Sequence, residues 1–226
     1  MALQYIGSAN GTTTLTFPEH KIGDVLIIFA FRDGSTINPT VGAGFTSITT
    51  TADGTSCSAS IGFRIATVTN TASGTWTNAS RVVGLVYRNQ QTNIVTPFGT
   101  GTYTSNTTNT YTYGARAMSA VSVRGSAWFI AFAGHTSIDQ NLQDPPSGMV
   151  LRDNSVDATC EVSAFDTNGA VTTDWPATNV ALTGTVGNGV SAVIELRADG
   201  QEMENYKTIG ALGNAGVISV NSLGGW

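Results

Sequence analysis

The sequence is short of charge, of cysteine and of histidine, and each shortage removes a class of function. Asp, Glu, Lys and Arg make up 11 % of its 226 residues, under half of the roughly 25 % found in an average globular chain. Residues 1–110 carry five Lys/Arg against four Asp/Glu and residues 111–226 carry five against eleven, for a formal net charge of −5. Phosphate neutralisation needs clustered Lys and Arg, so no direct nucleic-acid binding is expected. The acidic half reads as a solvated face. With only His20, His135, Cys57 and Cys160 to draw on, no His-x-x-x-His or paired-cysteine metal pattern can be assembled. The sequence contains no Gly-x-Ser-x-Gly elbow, no phosphate-cradling Gly-x-x-x-x-Gly-Lys and no dinucleotide fingerprint opening a helix. No catalytic residue, cofactor or metal is therefore expected.

Long apolar runs are missing too. No stretch approaches the ~18 residues that span a bilayer, and Met1-Ala2-Leu3-Gln4-Tyr5-Ile6-Gly7 has neither a basic segment nor the apolar core of a signal peptide. The expectation is a chain with no membrane partner, folded in a cytoplasm, where Cys57 and Cys160 stay free and buried.

What the sequence has instead is Gly, Thr and repetition. Gly23-Asp24 opens the seven-residue apolar run Val25 to Phe31, and Gly125-Ser126 opens a second run, Ala127 to Ala133, 102 residues later. Pro39 and Gly44-Phe45 follow the first run, and Pro145-Pro146 and Gly148-Met149 follow the second. One cysteine per copy comes next, then Trp76 or Trp175, and each copy closes on an apolar strand ending in arginine, at Tyr87-Arg88 and Leu196-Arg197. Correspondence in the same order implies an internal duplication. Copy one covers about residues 10–90, copy two about 111–198, and the uncharged, Thr/Asn-rich stretch 90–110 links them.

Short runs of Val, Ile, Thr, Phe and Tyr between Gly/Asn/Asp/Ser clusters, with no sustained 3.6-residue period, predict an all-β chain. Strands are expected near 2–7, 12–17, 24–32, 45–50, 57–67, 80–88, 111–123, 127–134, 149–153, 158–166, 178–184 and 189–198, with a further hairpin around 98–104. The architecture expected is jelly-roll-like or a two-sheet β-sandwich over residues 1–198, built from two similar halves. The runs Val25–Phe31 and Ala127–Ala133 do not alternate, so both their faces need cover. Terminal segments of the same chain or a neighbouring subunit are the candidates, and the second leads to an expected homo-oligomer, with a trimer favoured.

Residues 199–226 read as a C-terminal arm. A polar spacer from Gln201 to Lys207 precedes a stretch without charge, and Ile209, Leu212, Val217, Ile218, Val220, Leu223 and Trp226 are the expected oligomer or capsid contacts. Trp76 and Trp175, recurring in both copies, read as packing residues. Tyr103, Tyr111 and Tyr113 are the surface aromatics on which a sugar could stack. His135 reads as an exposed loop residue, although a pair with Asp139 can be drawn. Asp166-Thr167-Asn168-Gly169 reads as a hairpin turn, with a weak cation site at Asp153, Asp157 or Asp166 as the alternative.

The set Gly23-Asp24-Val25-Leu26-Ile27, Pro39, Gly44-Phe45-Thr46, Gly74-Thr75-Trp76, Val86-Tyr87-Arg88 and Pro145-Pro146-Ser147-Gly148 resembles β-rich virion proteins of tailed bacteriophages and prophages. The resemblance spans about residues 10–198. It implies a non-enzymatic part of a virus particle, most plainly a capsid decoration or cement protein contacting the major capsid protein, with a tail or fibre module binding a host receptor or glycan as the other placement.

Overall fold

The computed structural model describes residues 2–52, 56–90, 97–99, 101–119, 127–137, 142–184 and 187–198. Among these there is no helix. Twelve strands form: β1 (Gln4–Gly11), β2 (Val25–Asp33), β3 (Thr46–Ala52), β4 (Cys57–Ile65), β5 (Arg81–Arg88), β6 (Thr102–Asn106), β7 (Thr110–Tyr113), β8 (Ala127–His135), β9 (Val150–Val156), β10 (Glu161–Asp166), β11 (Thr178–Ala181) and β12 (Gly189–Arg197). The expected strand over 12–17 is absent. That segment instead crosses the outside of the first sheet, tied down by the Phe17 amide on the Thr71 carbonyl and the Ser73 amide on the Leu15 carbonyl.

Each large sheet is drawn from one half of the chain. The first runs β1-β5-β2-β4-β3 and the second β6-β12-β8-β10-β9. Counted from the start of each sheet's own strands, both follow the order first, last, second, fourth, third, and all pairings are antiparallel. Successive large-sheet strands stay within one sheet, so the two-sheet sandwich is the arrangement formed. The sheets pack crosswise: β1 lies against β9, β5 against β10, β4 against β12 and β2 against β8. Two equivalent layers related by a two-fold meet in this way. At the centre Phe29 of β2 stacks on Phe132 of β8, with centroids 5.2 Å apart and planes at 7°.

Strand alternation sorts the apolar runs. Val25, Ile27, Phe29 and Phe31 enter the core between the sheets together with Trp128, Ile130 and Phe132. Leu26, Ile28 and Ala30 turn outward and are buried under Leu15, Phe17, Ala66 and Trp76. Phe129, Ala131 and Ala133 turn outward and are buried under Tyr111, Tyr113, Leu142, Met149 and Trp175. The cover expected from terminal segments or a neighbour therefore comes from each half's own connecting segments. The sequence argument for a trimer loses that footing.

The paired signals Gly44-Phe45 and Gly148-Met149 do the same work in both halves. Gly44 and Gly148 have φ of 80° and 83°, a conformation that glycine adopts without strain. Each turn delivers its next side chain to the outer core that holds that half's tryptophan.

Candidate functional site

Three groups of polar side chains are assembled by the fold. The first lies where β1 and β5 meet β9 and β10. Arg152 donates from Nε to Asp166 Oδ2 at 2.8 Å and from Nη2 to Asn168 Oδ1 at 2.7 Å, while its guanidinium sits 4.1 Å from the centre of the Tyr5 ring. The Tyr87 hydroxyl donates to the same Asp166 oxygen at 2.7 Å. Burial and the Asp166 carboxylate hold the Tyr87 phenol well above its ordinary pKa. Farther along the same seam, Asn10 Nδ2 donates to Asp153 Oδ1 at 2.8 Å, and at the other end of β5 Arg81 Nε pairs with Asp157 Oδ2 at 3.0 Å. Every one of these links except the Arg152 pair with Asp166 and Asn168 runs from one half of the chain to the other.

The second group closes the end of the first sheet. Arg88 forks onto Asp24, Nε to Oδ1 at 2.8 Å and Nη2 to Oδ2 at 2.7 Å, and the Lys21 amide donates to Oδ2 at 2.8 Å. Burial alone would raise the Asp24 pKa; the guanidinium and the amide outweigh it and leave the carboxyl below its ordinary value. Gln90 Nε2 donates to the Gly23 carbonyl, and His20 bridges the Pro18 carbonyl (Nδ1, 2.7 Å) and the Thr71 hydroxyl (Nε2, 2.8 Å).

The third group is on the outer face of the second sheet. His135 and Glu161 are direct cross-strand partners on β8 and β10, and both are buried. Asn154 Nδ2 serves Glu161 Oε1 and Ser163 Oγ, each at 2.8 Å. Burial raises the Glu161 pKa against the lowering effect of the Asn154 amide. The His135 ring lies 5.7 Å from that of Tyr111.

Several expected site residues land elsewhere. Tyr111 and Tyr113 are 0 % and 1 % exposed in the outer core, so neither ring is a surface platform. They follow each other by two on β7, which turns one face onto β8. Tyr103 is half-buried against the central core, and its hydroxyl donates to the Thr49 carbonyl at 2.9 Å. His135 is buried at the end of β8 and is not an exposed loop residue. Its drawn partner Asp139 lies outside the described residues, as do Ile209, Leu212, Val217, Ile218, Val220, Leu223 and Trp226.

Other readings match. Trp76 and Trp175 are core residues. Cys57 and Cys160 are buried and not joined in a disulfide, and burial with the nearby Asp157 carboxylate pushes the Cys160 thiol up to about 12. Residues 166–169 form a turn in which the Asn168 amide donates to Asp166 Oδ1 at 2.8 Å and Asn168 takes φ of 49°. Asp166 and Asp157 are engaged by arginines and Asp153 by Asn10, and no group of three or more His, Cys, Asp or Glu able to hold a metal occurs among the described residues.

The cross-half group around Arg152 has no local sequence signal, because its contacts join residues as far apart as Asn10 and Asp153, 143 residues from each other. Tyr87 beside Arg88, at the close of copy one, is the nearest to one. Comparison with models of known protein families, with curated proteins and with solved structures finds no match.

Proposed function

We propose that this protein is a non-enzymatic structural component of a bacteriophage particle, a decoration or cement protein seated on the capsid. The observation that carries the reading is where the polar side chains go: Tyr87 to Asp166, Arg81 to Asp157 and Asn10 to Asp153 fasten one half of the molecule to the other, while Arg152 holds Asp166 in place within its own half. Such side chains serve rigidity. The residues that carry the resemblance to virion proteins are likewise turn and core positions, Gly44, Phe45, Trp76 and Tyr87 among them.

A protein of this kind acts by mass action, stabilising the assembled shell because it binds the shell and not its dissociated parts. Its partner is then the major capsid protein, and residues 208–226, uncharged and carrying Ile209, Leu212, Val217, Ile218, Val220, Leu223 and Trp226, are the docking segment. The reading as a receptor- or glycan-binding tail module has less support, since two of its three anchors, Tyr111 and Tyr113, are buried and Tyr103 is half-buried.

Phage particles produced without the protein test the proposal. They are expected to lose their genome at lower temperature than normal particles, with resistance restored by adding the purified full-length chain and not by a chain ending at Lys207. Particles that are equally heat-resistant without it would refute the cement role.

A further inference from the structure

The two sheets meet along two seams, and among the described residues only one of them is guarded by charge. Where β1 faces β9, Arg152 covers Tyr5, Asn10 reaches Asp153, and the Ser8 hydroxyl donates to the Arg152 carbonyl at 3.0 Å. Where β3 lies beside β6, the Tyr103 hydroxyl donates to the Thr49 carbonyl, a neutral link. Neither β3 (Thr-Ser-Ile-Thr-Thr-Thr-Ala) nor β6 (Thr-Tyr-Thr-Ser-Asn) has a charged residue or a proline.

β3 is the last strand of the first sheet and pairs with β4 alone among the described residues. Thr46, Ser47 and Thr50 are exposed. Natural edge strands are usually blunted by charges, proline or bulges, because a bare row of backbone donors and acceptors recruits another strand. β3 has one bulge, between Ser47 and Thr49, and its pairing with β4 is regular again from Thr49 to Ala52. Its β-branched threonines favour a strand partner.

Charge selects that partner. Residues 1–110, which carry β3, have five Lys/Arg against four Asp/Glu, while residues 111–198 have four against eight. Two copies meeting through their first halves bring together nearly neutral surfaces, whereas contact through the second halves sets acidic surfaces against each other. We propose that β3 pairs antiparallel with the β3 of a second copy, giving an isologous two-fold dimer in which the two first sheets become one continuous sheet. Two-fold contacts of this kind are self-complementary, and this one uses the β3 edge of both copies at once. The inference concerns the free protein and stands whether or not the chain sits on a particle.

Sedimentation of the full chain, up to about 100 µM, is the test. The wild type is expected to approach twice the 23.4 kDa chain mass. Thr50→Lys, which sets like charges across the joint, is expected to weaken association by about tenfold or more with unchanged thermal unfolding of the dilute protein. Leu151→Lys, on the opposite seam and 38 % exposed, is expected to leave association as it was. Slowed amide exchange at Thr49 and Thr50 in concentrated against dilute wild type would add support. A wild type that stays monomeric, or an assembly indifferent to Thr50→Lys, would overturn the proposal.

Discussion

Phe29 on β2 and Phe132 on β8 both enter the core between the sheets, and the fold stacks one on the other. Each ring completes the other's burial, so truncating either leaves a cavity at the centre of the sandwich. Phe29→Ala and Phe132→Ala are each expected to cost about 3–5 kcal/mol in urea unfolding. The double variant should cost less than the two together by about 0.5–1.5 kcal/mol, the worth of an aromatic pair. Strict additivity would mean that the rings do not share a contact. The tryptophans were legible as core because they recur with the duplication, one per half. Tyr111 and Tyr113 were misread although the signal was there: Thr110-Tyr111-Thr112-Tyr113 alternates, placing both rings on one face of a strand, and such a face is normally the buried one. His135 was misplaced for a simpler reason, since β8 extends past its apolar run to include Gly134 and His135.

Most strands were legible from composition and turn residues, and the exceptions share a cause. Residues 12–17 alternate like a strand, but a sheet already ending at β1 had no place for them, and Leu15 and Phe17 found cover on its outer face. Of the strand expected over 111–123, the described residues 111–119 form only β7, whose pairing with β11 ends at Tyr113, and residues 120–123 lie outside the described residues. The turn before β2 depends on charge in a way that pH exposes. Asp24 has a depressed pKa in the folded chain, so its bonds to Arg88 and Lys21 contribute stability above the ordinary aspartate range, and this is lost as pH falls through the folded value. Asp24→Asn is therefore expected to lower stability at pH 7 by about 1.5–3 kcal/mol, with the gap to wild type shrinking as the pH falls below about 4. Glu161 has a raised pKa and acts with the opposite sign, its burial costing more as pH rises, so Glu161 does not account for loss in acid. A gap that is the same at pH 3 and pH 7 would show that the Asp24 carboxylate is not the group responsible.

At the scale of the molecule, the chain passes from one sheet to the other once, between Arg88 and Thr102, and each half builds a complete layer with its own outer cover. The matching order of turns, apolar runs and tryptophans showed the duplication in the sequence. The crosswise packing was not readable there, because it rests on contacts such as Tyr87 to Asp166 and Asn10 to Asp153, 79 and 143 residues apart, which leave no periodic trace. On the proposed function, this double layer is a building part of a particle and is present wherever the capsid lattice repeats. Quantitative mass spectrometry of purified phage particles tests it most directly, by comparing copies of this chain with copies of the major capsid protein. The account predicts a fixed ratio to the major capsid protein that matches positions of the capsid lattice; a handful of copies per particle, or none, would contradict it.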